Sequence, residues 1–357
     1  MTPDDIKTVE GLRRLPILTK HDVRENFEQL IAINYPRKGM KLYSTGGSTG
    51  EPLQFLKPKD LGWSWGAWYR GLAWYGLEPG DKWALIAGGP SHTTFVEKLL
   101  LESGRFLRRQ IFLSACDLSE KQIEHFIAKL EEFQPKLITG YPSAVYILAE
   151  HIHYLGIQDI RPEVVITTAE KLYDDQRQTI KEVFECDVSE YYGCGEVKSI
   201  AYECPEHRGF HVSVENVILE IVKDGDQSSP PGEMGRTIAT DIHNLVMPFV
   251  RYENGDLGKL SNETTCSCRR TLPLLESVEG RVTDILTLEQ GYVSAPALTL
   301  IFKNQPIKQY QVIQETTNGI LNQDCEGTWL FSERHRLHTS SNAQIYQGSR
   351  GNSDGVC

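Results

Sequence analysis

Apolar residues recur with two different periods along the chain, and the change of period divides it into unlike parts. Between Lys82 and Tyr192, short apolar runs alternate with amphipathic stretches. Lys82–Gly88 reads as a buried strand and Phe95–Ser103 as the helix after it. Ile123, Phe126, Ile127, Leu130 and Phe133 fall on one helical face that Pro135 terminates, and Ser119 with Gln122 has capping-box spacing ahead of it. Lys136–Thr139, Glu163–Thr168 and Asp187–Tyr192 read as further strands, separated by helices at Ala144–Leu155 and Asp174–Phe184. This alternation predicts a parallel sheet with right-handed crossovers. From Val212 the helical period disappears. Val214–Val222, Gly235–Asp241 and Phe249–Tyr252 predict an antiparallel, β-rich subdomain, broken by turns at Ser228–Gly232 and Glu253–Asp256. Near the start, Leu15–Asp22 reads as a turn into a helix capped by Thr19. Leu61, Trp65, Trp68, Leu72 and Tyr75 then make a helical stripe, read as core with a ligand-facing edge.

Candidate chemistry gathers at the ends of the predicted parallel strands, where ligands of such sheets bind. Those exits are Thr139-Gly140-Tyr141, Thr168-Ala169-Glu170 and Tyr192-Gly193-Cys194-Gly195-Glu196. Upstream lies Ser44, Thr45, Gly46, Gly47, Ser48, Thr49 and Gly50, closed by Pro52. Glycines let backbone N–H groups approach an anion, and hydroxyls add uncharged donors, so the run suits a phosphate cradle. It is not a Walker loop, because Glu51 stands where that lysine would be. Taken alone, such a run reads equally well as a linker.

The 357 residues carry a net charge of −11, which argues against nucleic acid or an anionic membrane as the main partner. The first twenty residues lack a signal-peptide pattern, and no apolar run is long enough to span a bilayer. A cytoplasmic location is expected, with the eight cysteines read as thiols or metal ligands. Cys204 and His207, with Cys266 and Cys268, form a C-x2-H…C-x-C set suited to a structural, tetrahedral Zn²⁺. His211 is a rival fourth ligand.

The loop, Thr168-Ala169-Glu170, Tyr192–Glu196, Arg251-Tyr-Glu-Asn-Gly-Asp256 and Gly280-Arg281 occur in an order that resembles the adenylate-forming enzymes. Leu15-Pro-Ile-Leu-Thr-Lys20 and Thr240-Asp-Ile-His-Asn244 resemble their phenylacetate–coenzyme A ligase-like branch, which includes capsule-biosynthesis relatives. The resemblance covers roughly residues 10–315. It implies an α/β fold, with a large N-terminal domain of parallel sheets plus a β-rich subdomain, and a small α+β C-terminal domain. It also implies ATP-dependent ligation of a small carboxylic acid, aryl or acyl, to coenzyme A through an acyl-adenylate. Carried over by residue, Ser44–Gly50 would hold the pyrophosphate oxygens. Ala169 and Glu170, with Tyr192 and Gly193, would form the adenine pocket. Glu196 would bind Mg²⁺, Asp256 the ribose hydroxyls, and Arg281 the ribose or α-phosphate. Members of the branch can carry zinc at the cysteine set. Each residue has a plainer reading: Asp256 as a turn residue, Glu196 and Arg281 as surface charges, Glu170 as a cap for the helix that follows it.

The sequence departs from the family at its ends. No lysine follows Lys308, so the usual adenylation lysine is absent, and Thr283 replaces an acidic hinge residue beside Asp284. The expected division is an N-terminally incomplete AMP-binding domain over 1–280, a remnant of the mobile domain over 281–318, and a disordered or non-native tail over 319–357. The expectation is that ATP binds but adenylation is impaired. Alternatives are a non-catalytic nucleotide- or acyl-binding protein, or a zinc-stabilised scaffold in polysaccharide biosynthesis. A homodimer is left open.

Overall fold

The computed structural model describes residues 6–45, 53–88 and 95–279, and four strands beyond them at 285–288, 291–294, 310–316 and 319–324. In chain order the elements are α1 (Val9–Leu12), α2 (Lys20–Glu25), β1 (Met40–Ser44), β2 (Gln54–Pro58), α3 (Gly62–Ala73), β3 (Trp83–Ala87) and α4 (Phe95–Leu107). There follow β4 (Gln110–Ser114), α5 (Glu120–Phe133), β5 (Leu137–Gly140), α6 (Pro142–Tyr154), β6 (Val164–Thr167), α7 (Asp174–Phe184) and β7 (Asp187–Tyr192). The remaining described strands before residue 280 are β8 (Ala201–Glu203), β9 (Phe210–Val212), β10 (Val217–Val222), β11 (Met234–Asp241), β12 (Tyr252–Leu260) and β13 (Leu274–Glu279).

Strands β3 to β13 form one eleven-stranded sheet in the order β10-β11-β12-β13-β9-β8-β7-β6-β5-β3-β4, and β1 and β2 pair in a two-stranded sheet of their own. The expected parallel half is present, with β3, β4, β5, β6 and β7 paired in parallel. The β-rich part is antiparallel, as expected, but it continues the same sheet. The join is β7, whose first four residues pair with β6 and whose Tyr191 and Tyr192 pair antiparallel with β8.

Alternation along the parallel strands decides which helix covers which face. Ile138, Val165 and Val188 pack with Ile123, Phe126, Leu130, Ile147, Leu148, Ile180 and Phe184 of α5, α6 and α7. Leu137, Val164 and Ile166 point the other way and pack with Leu72 and Trp68 of α3. A third cluster joins Val23 of α2 and Phe55 of β2 to Val212, Ile221, Ala239, Phe249, Tyr252 and Leu275 in the antiparallel half.

Several expectations are corrected. Thr19 caps α2 as expected, and the cap is a full capping box: Asp22 N–H donates to the Thr19 hydroxyl and Thr19 N–H to Asp22 Oδ2. At α5 the expected Ser119 box does not form: the Ser119 hydroxyl donates to Asp117 Oδ1 at 2.9 Å instead. Strands β4, β8 and β9 escaped the sequence pattern, the last two because three residues cannot express a period. Glu253–Asp256 is not a break. Strand β12 runs through it with a register shift against Arg236 and Ile238, and Gly255 takes a φ of +91°, the signature of a bulge. Beyond residue 280, β14 (Ile285–Leu288) pairs with β15 (Gly291–Ser294) and β16 (Tyr310–Thr316) with β17 (Gly319–Asp324). The tail expected to lack structure from 319 thus begins with a strand; residues 325–357 lie outside the described residues.

The N-terminal segment is fastened by one buried cation. Arg251 is 2% exposed; its Nε donates to Glu220 Oε2 at 3.0 Å, and its Nη1 donates to the carbonyls of Arg13 and Leu15 at 3.1 and 2.5 Å. Leu18 and the backbone around Tyr252 then pair as an isolated parallel bridge. Removing the cation leaves the buried Glu220 with only the longer, half-exposed contact to Arg13 Nε at 3.7 Å. Arg251→Met is expected to cost about 3–5 kcal/mol of stability, and the double change with Glu220→Met distinctly less. Urea unfolding checks this; a single-variant loss below about 1 kcal/mol contradicts the staple.

Candidate functional site

The carboxyl ends of β5, β6 and β7 open into a cavity of about 970 Å³, lined by Thr139, Gly140, Thr168, Ala169, Glu170 and the whole Tyr192–Glu196 turn. Ser44 and Thr45 enter from the β1–β2 hairpin, and Asn254 and Asp256 from β12. The structure therefore brings together the three strand exits, the foot of the glycine run and the ribose candidate. Gly46, Gly47, Ser48, Thr49, Gly50 and Arg281 lie outside the described residues. The neck of the glycine run is tied: Thr45 N–H donates to the Leu53 carbonyl at 3.0 Å, and Leu53 N–H to Thr45 Oγ1 at 3.1 Å. Gly195 lies against this neck, where an added Cβ would come within 2.9 Å of Thr45 Cγ2.

Tyr192 and Asp256 meet at the far wall. The Tyr192 hydroxyl donates to Asp256 Oδ2 at 2.9 Å and accepts from Asn254 Nδ2. Thr237 donates to Asn254 Oδ1 at 2.5 Å, and Asp256 N–H to the same oxygen at 3.1 Å. Burial, then the neighbouring Asp256 carboxylate, pushes the Tyr192 phenol well above its ordinary pKa, so it stays a donor. The β12 bulge aims Asp256 into the cavity. Of this network sequence reasoning named Tyr192 and Asp256 as candidates and gave no part to Thr237 and Asn254, whose contacts depend on cross-strand register.

Glu196, 3% exposed, lines the cavity with one oxygen, Oε1, accepting from the Tyr252 hydroxyl at 2.7 Å. Its burial and engagement argue against a mere surface charge. One buried carboxylate beside the foot of the glycine run is a donor suited to Mg²⁺, which prefers few protein ligands plus phosphate oxygens.

Ala169 has φ +72°, an unusual conformation for a residue with a Cβ, held between β6 and Glu170. Glu170 does cap a helix, but not the one that follows it. Its Oε2 accepts from Ser143 N–H at 3.2 Å, at the amino end of α6. Burial raises its carboxyl above the usual range. Burial also pushes the Cys194 thiol up, so no thiolate nucleophile is offered there.

The aromatic stripe divides. Leu72 is buried, while Leu61, Trp65 and Trp68 face the cavity beside Tyr141 and Tyr191.

The cysteine–histidine set assembles, with one correction. Cys204, His211, Cys266 and Cys268 place their ligand atoms within 4.8 Å of one another. Cys204 and Cys266 sulfurs are 3.8 Å apart, about the edge of a tetrahedron with Zn–S bonds of about 2.3 Å. His211 Nε2 faces Cys268 Sγ at 3.2 Å, and its Nδ1 can donate to the Leu272 carbonyl at 3.4 Å, which would leave Nε2 for a metal. His207, the expected ligand, points elsewhere. Its Nε2 is 2.9 Å from Asp187 Oδ1 and its Nδ1 2.9 Å from Glu203 Oε1, and these carboxylates push its pKa up to about 9. A protonated imidazole has no lone pair for a metal. The donor set fits zinc. Plasma emission analysis is expected to find about one zinc per chain, lost in His211→Ala and kept in His207→Ala; the reverse pattern would restore the spacing-based assignment.

No family model matches the chain. A phenylacetate–coenzyme A ligase of Thermus thermophilus is 26% identical over 322 residues, covering 87% of this chain and 70% of that protein. Protein CapK of Staphylococcus aureus is 25% identical over 328 residues, covering 88% of this chain and 69% of that one. Among solved structures, a 2-hydroxyisobutyryl-CoA ligase in the postadenylation state superposes with a TM-score of 0.64 at 17% identity, over 90% of this chain and 71% of the other. That likeness is one of fold.

Proposed function

We propose that the chain belongs to the adenylate-forming enzymes, in the phenylacetate–coenzyme A ligase-like branch that its relatives at 25–26% identity point to, and that it activates a small carboxylic acid with ATP and passes the acyl group to coenzyme A. The observation that supports this best is the meeting of the loop foot, Glu196 and the Tyr192–Asp256 pair around one cavity at the parallel strand ends.

A carboxylate resists nucleophilic attack because resonance spreads its charge. In the first half-reaction, one carboxylate oxygen attacks the α-phosphorus of ATP. The bond from that phosphorus to the β-bridging oxygen breaks, and pyrophosphate leaves with the electron pair. In the second, the coenzyme A thiolate adds to the acyl carbon and AMP leaves. Both halves depend on positioning and charge neutralisation more than on covalent help. Asp256, oriented by Tyr192, accepts the ribose hydroxyls. Ala169 and Gly193 form the wall against the base, with Glu170 fixing the Ala169 turn through α6. Mg²⁺, held by Glu196, would neutralise the phosphate oxygens. Leu61, Trp65, Trp68, Tyr141 and Tyr191 offer an apolar wall to an aryl or acyl group.

Asp256→Ala is expected to weaken ATP and AMP binding about ten- to a hundredfold, the loss of charge-assisted hydrogen bonds worth about 1.5–3 kcal/mol. Calorimetric titration measures it. ATP–pyrophosphate exchange that depends on an added aryl or acyl acid is expected and checks the first half-reaction. Absence of nucleotide binding removes the ligase reading.

A further inference from the structure

Three lysines converge on the hairpin that carries the glycine run, in a chain whose net charge is −11. Lys41 and Lys57 are cross-strand partners on β1 and β2, as are Tyr43 and Phe55 beside them. The two rings stack with centroids 6.0 Å apart. Lys41 Nζ lies 5.3 Å from the Tyr43 ring centre, Lys198 Nζ 5.6 Å from the same ring, and Lys57 Nζ 5.9 Å from that of Phe55. Lys198 follows the Tyr192–Glu196 turn and lines the cavity beside Ser44 and Thr45.

The charges around this platform are unbalanced. Among the described residues, none of the three lysines forms an ion pair with a carboxylate within 4.0 Å. Lys57 is 1% exposed; burial lowers its pKa to about 8, against the pull of Asp241 and Glu196. Burial, and then Lys41, lower that of Lys198, with no acid offsetting them. A half-buried ammonium whose charged neighbour is another ammonium weakens the empty protein. Its placement makes sense with an anion that brings the compensating charge. The aromatic faces beneath moderate the cost without supplying a counterion.

Resting on the adenylation reading above, we propose that Lys198, backed by Lys41 and Lys57, is a binding residue for the terminal phosphates of ATP and for the pyrophosphate that leaves. These phosphates carry the highest charge in the reaction, and the platform stands at the foot of the run read as their cradle. It also gives this chain a lysine for phosphate although Glu51 occupies the usual position after the last glycine of the run.

Calorimetric titration of the full chain with inorganic pyrophosphate, ATP and AMP, in Mg²⁺ buffer, tests this. Lys198→Gln is expected to weaken pyrophosphate and ATP at least tenfold and AMP less than twofold, with most of the affinity restored in Lys198→Arg. Lys41→Gln, at an exposed side chain, is expected to weaken pyrophosphate about threefold, and decides the matter should Lys198→Gln fail to fold. Unchanged pyrophosphate binding, or an equal loss for AMP, overturns the proposal. So does a loss confined to an aryl acid, which would make the lysine a carboxylate partner. Wild-type binding of pyrophosphate without ATP or AMP, weakened by Lys198→Gln, removes the adenylation reading and leaves the anion site. Binding of ATP and AMP with no effect of either variant on pyrophosphate does the opposite, and binding of none removes both.

Discussion

The arrangement of the site depends on β7 serving two kinds of partner. Its first four residues are parallel to β6 and its last two antiparallel to β8. A strand held this way cannot slip in register without breaking one ladder or the other. The turn that leaves it, Gly193 to Glu196, is therefore fixed where the parallel and antiparallel halves meet. From the parallel side come Thr139 and Ala169, from the antiparallel side Asp256, and across the gap Thr45. The cavity is what remains between elements that the sheet does not allow to close.

That geometry explains what could be read from the sequence. Parallel strands, buried on both faces, announce themselves as continuous apolar runs, so β3, β5, β6 and β7 and the helices between them were legible. Partners set by long-range register were not. Asp256 sits in Asn-Gly-Asp, a local turn signal, yet the structure spends that glycine on a bulge inside β12. Glu170 caps α6, a helix that ends before it in the chain. His207 has the better spacing to Cys204, but the carboxylates of Asp187 and Glu203 claim it, and His211 is the histidine that stands with the three cysteines. In each case the local pattern named the right neighbourhood and tertiary contacts chose the atom.

Charge is distributed with the same logic. Arg251 is buried with Glu220 and three backbone or side-chain acceptors, so its role is to hold the segment near Leu15 against the sheet. The motif residue next to it, Tyr252, turns to the other side and holds Glu196. Arg251, with a φ of +49° just ahead of β12, and Tyr252, the first residue of that strand, thus serve structure and site separately. Loss of Arg251 would reach the site only indirectly, by loosening the segment that packs beside Tyr252.

The cysteine set belongs to this scheme rather than standing apart from it. Strands β8 and β9 have three residues each, too few to hold a register by hydrogen bonds alone. Cys204 follows β8, His211 lies on β9, and Cys266 and Cys268 lie on the loop before β13, which pairs with β9. A tetrahedral metal joining these four would clamp the two weakest strands of the sheet. β8 in turn stacks Tyr202 on Tyr191 of β7 at 5.4 Å. A metal held by these four, none of which lines the cavity, would then act on the site through the register of β7.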